Sequence, residues 1–162
     1  MKNKSSKQKG LEGEKTAIRM LCKYFSYENI GKTIGSGCFW HSKGDWNIRH
    51  INGDNYLVEI KTTEKNKFRI NSKLIEKIWY EALEENKLPL FLVLLETKNN
   101  NKLLLIDIFA RNIDKCNKYL KGFLIKETFI DDLIENNNTP HILIGDNDNK
   151  WQLNMKAIKE SK

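Results

Sequence analysis

Cysteine is scarce and odd in number. Cys22, Cys38 and Cys116 are far apart in the chain, which supports neither a disulfide framework nor a four-cysteine zinc site, and they read as reduced thiols. No apolar run approaches the roughly 20 residues needed to span a bilayer, so no membrane association is expected. The start, Met1 to Lys9, is rich in Lys and Ser with no apolar stretch behind it. It therefore lacks the form of a secretory signal and is read as a flexible basic arm over residues 1–9. The expected location is the cytoplasm, or the host cytoplasm for a phage-encoded chain. Internal repeats are also lacking. What is present is a chain of 162 residues, 40% hydrophobic and 30% charged, enough for one compact domain with a real core. Its net charge of +7 favours a polyanionic partner, because each neutralised phosphate releases condensed counterions. Charge alone does not choose between DNA, RNA and an acidic protein. The preference for Lys, Asn and Ile over Arg and Ala fits an AT-rich bacterial or phage genome, which accounts for part of the basicity.

Leu11, Ile18, Leu21, Cys22 and Phe25 recur at helical spacing and predict an amphipathic helix from about Gly10 to Glu28. Glu14, three residues after Leu11 and four before Ile18, falls on its apolar stripe. A carboxylate there needs a specific partner, since burying an uncompensated charge costs several kcal/mol, roughly. The Gly- and Ser-rich stretch Gly31 to Gly44 reads as a mobile surface loop. Asp45 to Ile51 and Tyr56 to Lys61 then form short strands joined at Asn52-Gly53-Asp54, a hairpin signal. Ile70 to Glu85 is a second core helix, capped at Asn71-Ser72. Leu88 to Glu96 and Lys102 to Phe109 form a second, largely buried hairpin. Beyond Ala110 the pattern predicts short helices near 111–120 and Phe129 to Glu135, a strand at His141 to Ile144, and a frayed charged end.

Glu59 and Lys61 are two residues apart in a strand and share a face, opposite Val58 and Ile60. Taken alone, Glu-x-Lys is what any half-exposed sheet face supplies. Here it coincides with Gly44-Asp45 at the end of a glycine-rich loop, a strand pair linking Asp45 to Glu59, and the unexplained Glu14. Two carboxylates and a lysine suit phosphodiester hydrolysis, which needs a hard cation to activate water and to neutralise charge on the phosphorane oxygens. Asp45 and Glu59 can share a Mg²⁺, with Mn²⁺ as a substitute and the backbone carbonyl of Ile60 as a third ligand. Lys61 can reach the attacking water or the phosphate as a point charge. For Asp45 to share the face of Glu59, the hairpin loop must hold an odd number of residues or a strand must bulge.

Lys9-Gly10-Leu11-Glu12-Gly13-Glu14, Gly35-Ser36-Gly37, Gly44-Asp45 and Val58-Glu59-Ile60-Lys61-Thr62-Thr63 follow in order. Over Lys9 to Val93 the chain thereby resembles the archaeal-type Holliday junction resolvases of the PD-(D/E)XK nuclease superfamily. The resemblance implies a homodimeric, Mg²⁺-dependent endodeoxyribonuclease that cuts opposed strands of a four-way junction, with Asp45, Glu59 and Lys61 at its centre. It carries a site role to Glu14, also as a candidate metal ligand, and a loop-serine role to Ser36. The chain departs from the family in having Lys15 where Arg is common, in lacking a proline before Asp45, and in extending past Ala110. Ser42 competes with Ser36.

The expected fold is thus an α/β, restriction-endonuclease-like core over 10–110, a mixed sheet flanked by helices, with 111–162 as a short C-terminal extension packed on the same domain. Branched DNA is the expected partner, with no organic cofactor. Lys2, Lys4, Lys7, Lys9, Lys15 and Lys43 are the candidate DNA-binding residues. His41 and His50 are positional candidates for a base or ligand. Phe39 and Trp40 can stack on unpaired bases, whereas Trp46 is read as core and Trp79 as core or dimer interface. Two symmetric cuts suit a two-fold dimer. The alternatives are a restriction-type, repair or replication-associated nuclease, or a non-catalytic nucleic-acid-binding module on the same scaffold.

Overall fold

The computed structural model describes residues 5–24, 27–32, 44, 46–51, 53–98, 100–109, 123–137, 139–147 and 150–153. The elements follow one another as α1 (Ser6–Tyr24), β1 (Tyr27–Lys32), β2 (Trp46–His50), β3 (Asn55–Thr63), β4 (Lys67–Arg69) and α2 (Ser72–Glu84). They continue as β5 (Leu88–Glu96), β6 (Asn101–Phe109), β7 (Leu124–Lys126), α3 (Glu127–Asn137), β8 (His141–Asn147) and β9 (Lys150–Leu153). A seven-stranded sheet in the order β1-β2-β3-β5-β6-β8-β9 forms the centre, and β4 pairs with β7 in a small second sheet. The sheet is mixed: β3 runs parallel to β5, and β6 to β8, while the other neighbours are antiparallel. Each parallel pair is joined through a helix, α2 and α3 respectively, as a parallel crossover requires. The expected mixed sheet flanked by helices is what the structure shows.

Burial on both faces explains why β5 reads as an unbroken apolar run. Leu90, Leu92 and Leu94 pack with Ala17, Ile18 and Leu21 of α1 on one face. On the other, Phe91, Val93 and Leu95 pack with Ile75, Ile78 and Ala82 of α2 and with Ile130 and Leu133 of α3. The period of two along a strand places Val58 and Ile60 of β3 towards α1 and Leu57 towards α2. Every residue of β3 therefore has a defined layer.

Several boundaries differ from those predicted. α1 starts at Ser6, so Lys7 and Lys9, expected in a free arm, are helical. Its buried line is Gly13, Ala17, Ile18 and Leu21, whereas Leu11 and Cys22, expected on the core stripe, are exposed. At Gly13 α1 lies so close to β3 that a Cβ there would stand 2.6 Å from Thr62 Cγ2. Residues 27–32, expected to finish a helix and begin a loop, form β1, held by pairing with β2. The segment beyond Ala110 enters the core itself: β8 and β9 extend the sheet, and Ile125, Ile130, Leu133 and Ile142 are buried in it. The helix expected near 111–120 lies outside the described residues.

α2 is a firmly ended element. The Asn71 side chain accepts the Lys73 N–H at its start. At its end Asn86, at φ 53, turns the chain, with Lys87 N–H donating to the Ala82 carbonyl and Asn86 N–H to the Leu83 carbonyl. This is a Schellman closure with asparagine in the left-handed position.

Candidate active site

β3 sets the site. Glu59 and Lys61 point to its α2 face, in register with Phe91 and Val93 of β5. Glu59 is 4% exposed and is the one buried charged residue among those described. A buried carboxylate calls for partners that compensate the water it has lost. Two lysines do so: Lys61 Nζ lies 2.6 Å from Glu59 Oε1, and Lys77 Nζ, on α2, lies 3.8 Å from Oε2. Lys77 also stands 3.7 Å from Glu81 Oε1, one helical turn on. The other oxygen of Glu81 accepts the backbone N–H of Gly44 at 3.1 Å. One line of charge thus runs from Lys61 through Glu59, Lys77 and Glu81 to the residue bonded to Asp45.

Gly44 is buried at φ +61, and a Cβ there would meet Leu57 Cγ at 2.8 Å and the Val58 carbonyl at 3.2 Å. Only glycine combines this left-handed conformation with so close an approach to β3. From there β2 pairs with β3 as Trp46↔Val58 through Arg49↔Asn55. Beyond that pairing the His50 N–H donates to the Asp54 carbonyl and the Gly53 N–H to the His50 carbonyl, which closes the hairpin.

Of the predicted site residues, Glu59 and Lys61 are brought together. Glu14 is carried by α1, which packs on the opposite face of β3, and there it accepts a long hydrogen bond, 3.4 Å, from the indole N–H of Trp46. Trp46 itself packs against the α1-side core. Asp45 and Ser36 lie outside the described residues, as do Lys2, Lys4, Lys43, Phe39, Trp40, His41 and Ser42. Lys7, Lys9 and Lys15 line α1 and are exposed. The Lys9 ammonium pairs with Glu64 at 2.9 Å, which raises the lysine's pKa and lowers that of the glutamate, chiefly through their hydrogen bond. His50 lies at the turn end of β2, its N–H donating to the Asp54 carbonyl.

Lys77 and Glu81 were not anticipated from the sequence. They flank the apolar line Ile75, Ile78 and Ala82 at i,i+4 spacing, a pattern that solvated helix faces share. What distinguishes them is that α2 covers the face of β3 bearing Glu59, which is a tertiary fact.

Among the described residues no three His, Cys, Asp or Glu side chains gather as a metal site; the second expected ligand, Asp45, is outside them. The donors that are described still fit a hard divalent cation in kind. Glu59 is an oxygen donor kept from water, with two ammonium groups beside it, and among the described residues neither a thiol nor an imidazole stands next to it.

No protein-family model matches the chain, and no curated protein matches it in sequence. Among solved structures, the fold is similar to Archaeoglobus fulgidus Hjc, a Holliday junction resolvase from an archaeal hyperthermophile. The TM-score is 0.47 and the identity 14%, covering 70% of this chain and 86% of that one. Among the described residues no helix is long and apolar enough to cross a membrane.

Proposed function

We propose that the protein is a divalent-metal-dependent endonuclease that cuts branched DNA, with the four-way junction as its substrate. The observation that carries this is the buried Glu59 carboxylate bound to Lys61 on one strand, beside the anchored glycine that precedes Asp45. A purely structural ion pair gains little from such burial, since desolvation offsets the attraction. The pair is better explained as part of a site that must bind cation and anion in turn. The sequence resemblance of Gly44-Asp45 and Glu59-Ile60-Lys61 to the resolvase pattern supports the same reading.

Asp45, Glu59 and the carbonyl of Ile60 would hold the metal; Glu14, expected from the sequence as a further ligand, sits across β3 from Glu59 with its carboxylate on the Trp46 indole and is left out of that set. When bound, a Mg²⁺ lowers the pKa of its water and stabilises charge on the phosphoryl oxygens. The chain's own groups do the remainder. Lys61, half-buried beside Glu59, presents an ammonium to the phosphate, where its charge is worth more than in open water. Lys77 keeps the Glu59 carboxylate from facing substrate as an uncompensated negative charge. Ser36 contacts the phosphate from the loop, and the exposed Lys7, Lys9 and Lys15, with Lys2, Lys4 and Lys43, supply sequence-independent backbone contacts. A two-fold homodimer presents two such sites to opposed strands of a symmetric junction. Such an enzyme works in the cytoplasm of its cell or host.

The test is cleavage of a labelled immobile four-way junction against linear duplex of matched sequence, with Mg²⁺ and with EDTA. Paired symmetric nicks in the junction, absent with EDTA, are expected. Preferential cutting of linear duplex would discard the junction and leave a restriction-type or repair nuclease. Absence of Mg²⁺- or Mn²⁺-dependent cleavage of either DNA would overturn the enzyme reading.

A further inference from the structure

We propose that Glu81 is a positioning residue of this site, which fixes the Gly44 backbone beside Glu59 by accepting its N–H, while Lys77 ties the Glu59 and Glu81 carboxylates together. The cleavage consequences rest on the nuclease reading above; the tether itself does not. Three features lead to it. First, Gly44 is confined from two sides: it lies so close to β3 that a Cβ there would clash with Leu57 and crowd the Val58 carbonyl, and Glu81 Oε2 accepts its N–H at 3.1 Å. Second, the acceptor is mounted on a rigid frame. α2 is capped at Asn71, closed at Asn86 and anchored through Ile75, Ile78 and Ala82, so its side chains hold their place. Third, Glu81 stands where helix electrostatics disfavour it. α2 has no basic residue in its last turn, and a carboxylate near a helix C-terminus opposes the partial negative charge of the free carbonyls. A half-buried carboxylate kept against that preference, with its two oxygens on Lys77 and the Gly44 amide, is accounted for by those two contacts.

Gly44 is bonded directly to Asp45, so the tether sets where the chain leaves the loop relative to Glu59. A displacement of about 1 Å in such a group can reduce a rate about 100-fold.

The experiment uses the full chain. Hydrogen exchange of the Gly44 amide is followed by NMR in the metal-free protein for wild type, Glu81→Ala and Glu81→Gln, with the amides of Leu92 and Val93 in β5 as internal controls. Loss of a hydrogen bond to a charged acceptor should speed Gly44 exchange in Glu81→Ala by about tenfold or more, with the β5 amides unchanged. Glu81→Gln, which keeps an acceptor oxygen, should retain most of the protection. Equal Gly44 exchange in wild type and Glu81→Ala would overturn the tether. Should Glu81→Ala not fold, Glu81→Met, of similar length but with no acceptor for the Gly44 N–H, takes its place, and Gly44 exchange at the wild-type rate in that variant would overturn the tether. In the cleavage assay, Glu81→Ala should lower kcat at saturating Mg²⁺ with junction affinity unchanged, and Glu81→Gln should recover part of it. A kcat equal to wild type in Glu81→Ala would overturn the positioning role. A wild type that cuts no DNA removes the nuclease reading but leaves the exchange result to decide the tether.

Discussion

Replacing Gly44 with alanine is expected to lower the unfolding free energy by about 2–4 kcal/mol, from two costs and one offset. At φ +61 a Cβ crowds the following carbonyl, at about 1–2 kcal/mol for an L-residue. The new methyl would also stand 2.8 Å from Leu57 Cγ and 2.9 Å from Cδ1. Leu57 has no exposed surface and lies between β3, α2 and the rest of the core, so it has no space to swing into, and overpacking of this kind costs about 1–3 kcal/mol. Against these, alanine narrows the unfolded ensemble, a gain of about 0.4–1 kcal/mol. Domains hold about 5–15 kcal/mol in all, so the variant remains folded and the loss is readable in a urea titration followed by tryptophan fluorescence. With a slope of about 1–3 kcal/mol per molar, the midpoint should fall by on the order of 1 M. Gly53→Ala is the control: φ there is +94 with open space around the position, so it carries the backbone cost and the same unfolded-state offset without the packing cost, a net loss of about 0–1.6 kcal/mol. Losses equal within about 0.5 kcal/mol, the usual scatter of unrelated surface changes, would show that residue 44 does not press on Leu57, and would refute the packing argument.

Asp45→Asn and Glu59→Gln should each abolish Mg²⁺-dependent cleavage with junction binding retained in a gel-shift or anisotropy titration; a wild-type rate in either refutes the site. Lys61→Ala should slow cleavage about 100- to 1,000-fold, the usual effect of removing one preorganised electrostatic group, with metal binding measured by calorimetry unchanged. Ser36→Ala is expected to slow cleavage, and a wild-type rate there transfers the loop role to Ser42. His141 should titrate below its usual 6.5 by NMR, because burial outweighs the opposing pull of Asp107, 3.8 Å away. The folded state disfavours its charged form, so its contribution to stability is present above pH 6.5 and lost as pH falls below it. Burial raises the Asp107 pKa, so that ionisation disfavours the folded state above the normal carboxylate range. Asp107→Asn should therefore stabilise the protein at pH 7 and move the His141 midpoint lower still; a midpoint that rises contradicts the assignment. Asn86→Gly should add about 0.5–1 kcal/mol in a thermal scan, the left-handed cost relieved less the entropy glycine gives the unfolded chain. A lower melting temperature would mean that the Asn86 side chain contributes more than its backbone strain.

Much of the architecture was readable because its signals are local. Asn71 marks the start of α2, Leu88–Glu96 matches β5 end to end, and the runs at 88–109 announce strands covered on both sides. Elements with weak local signals were missed. β1 contains Gly31 in a glycine-rich context and is a strand by virtue of its pairing with β2. β4 and β7, three residues each, are defined by each other across more than fifty positions of sequence, a separation no window of hydropathy spans. β9 lies in the charged end and is a strand through its pairing with β8.

For the site, the sequence by itself determined that Glu59 and Lys61 share a face, since alternation along a strand is a property of the backbone. It also marked Gly44 before Asp45, and Glu14 on a helix face that meets the core. It could not determine what stands opposite Glu59. That depended on α2 crossing from β3 to β5 over that face, which turns Lys77 and Glu81 from an ordinary i,i+4 pair into partners of a buried carboxylate and a glycine amide. Nor could it determine that α1 covers the other face, where Glu14 meets the Trp46 indole. Side-chain periodicity is fixed within a few residues of chain, whereas the choice of which helix covers which face is made by the packing of the whole sheet.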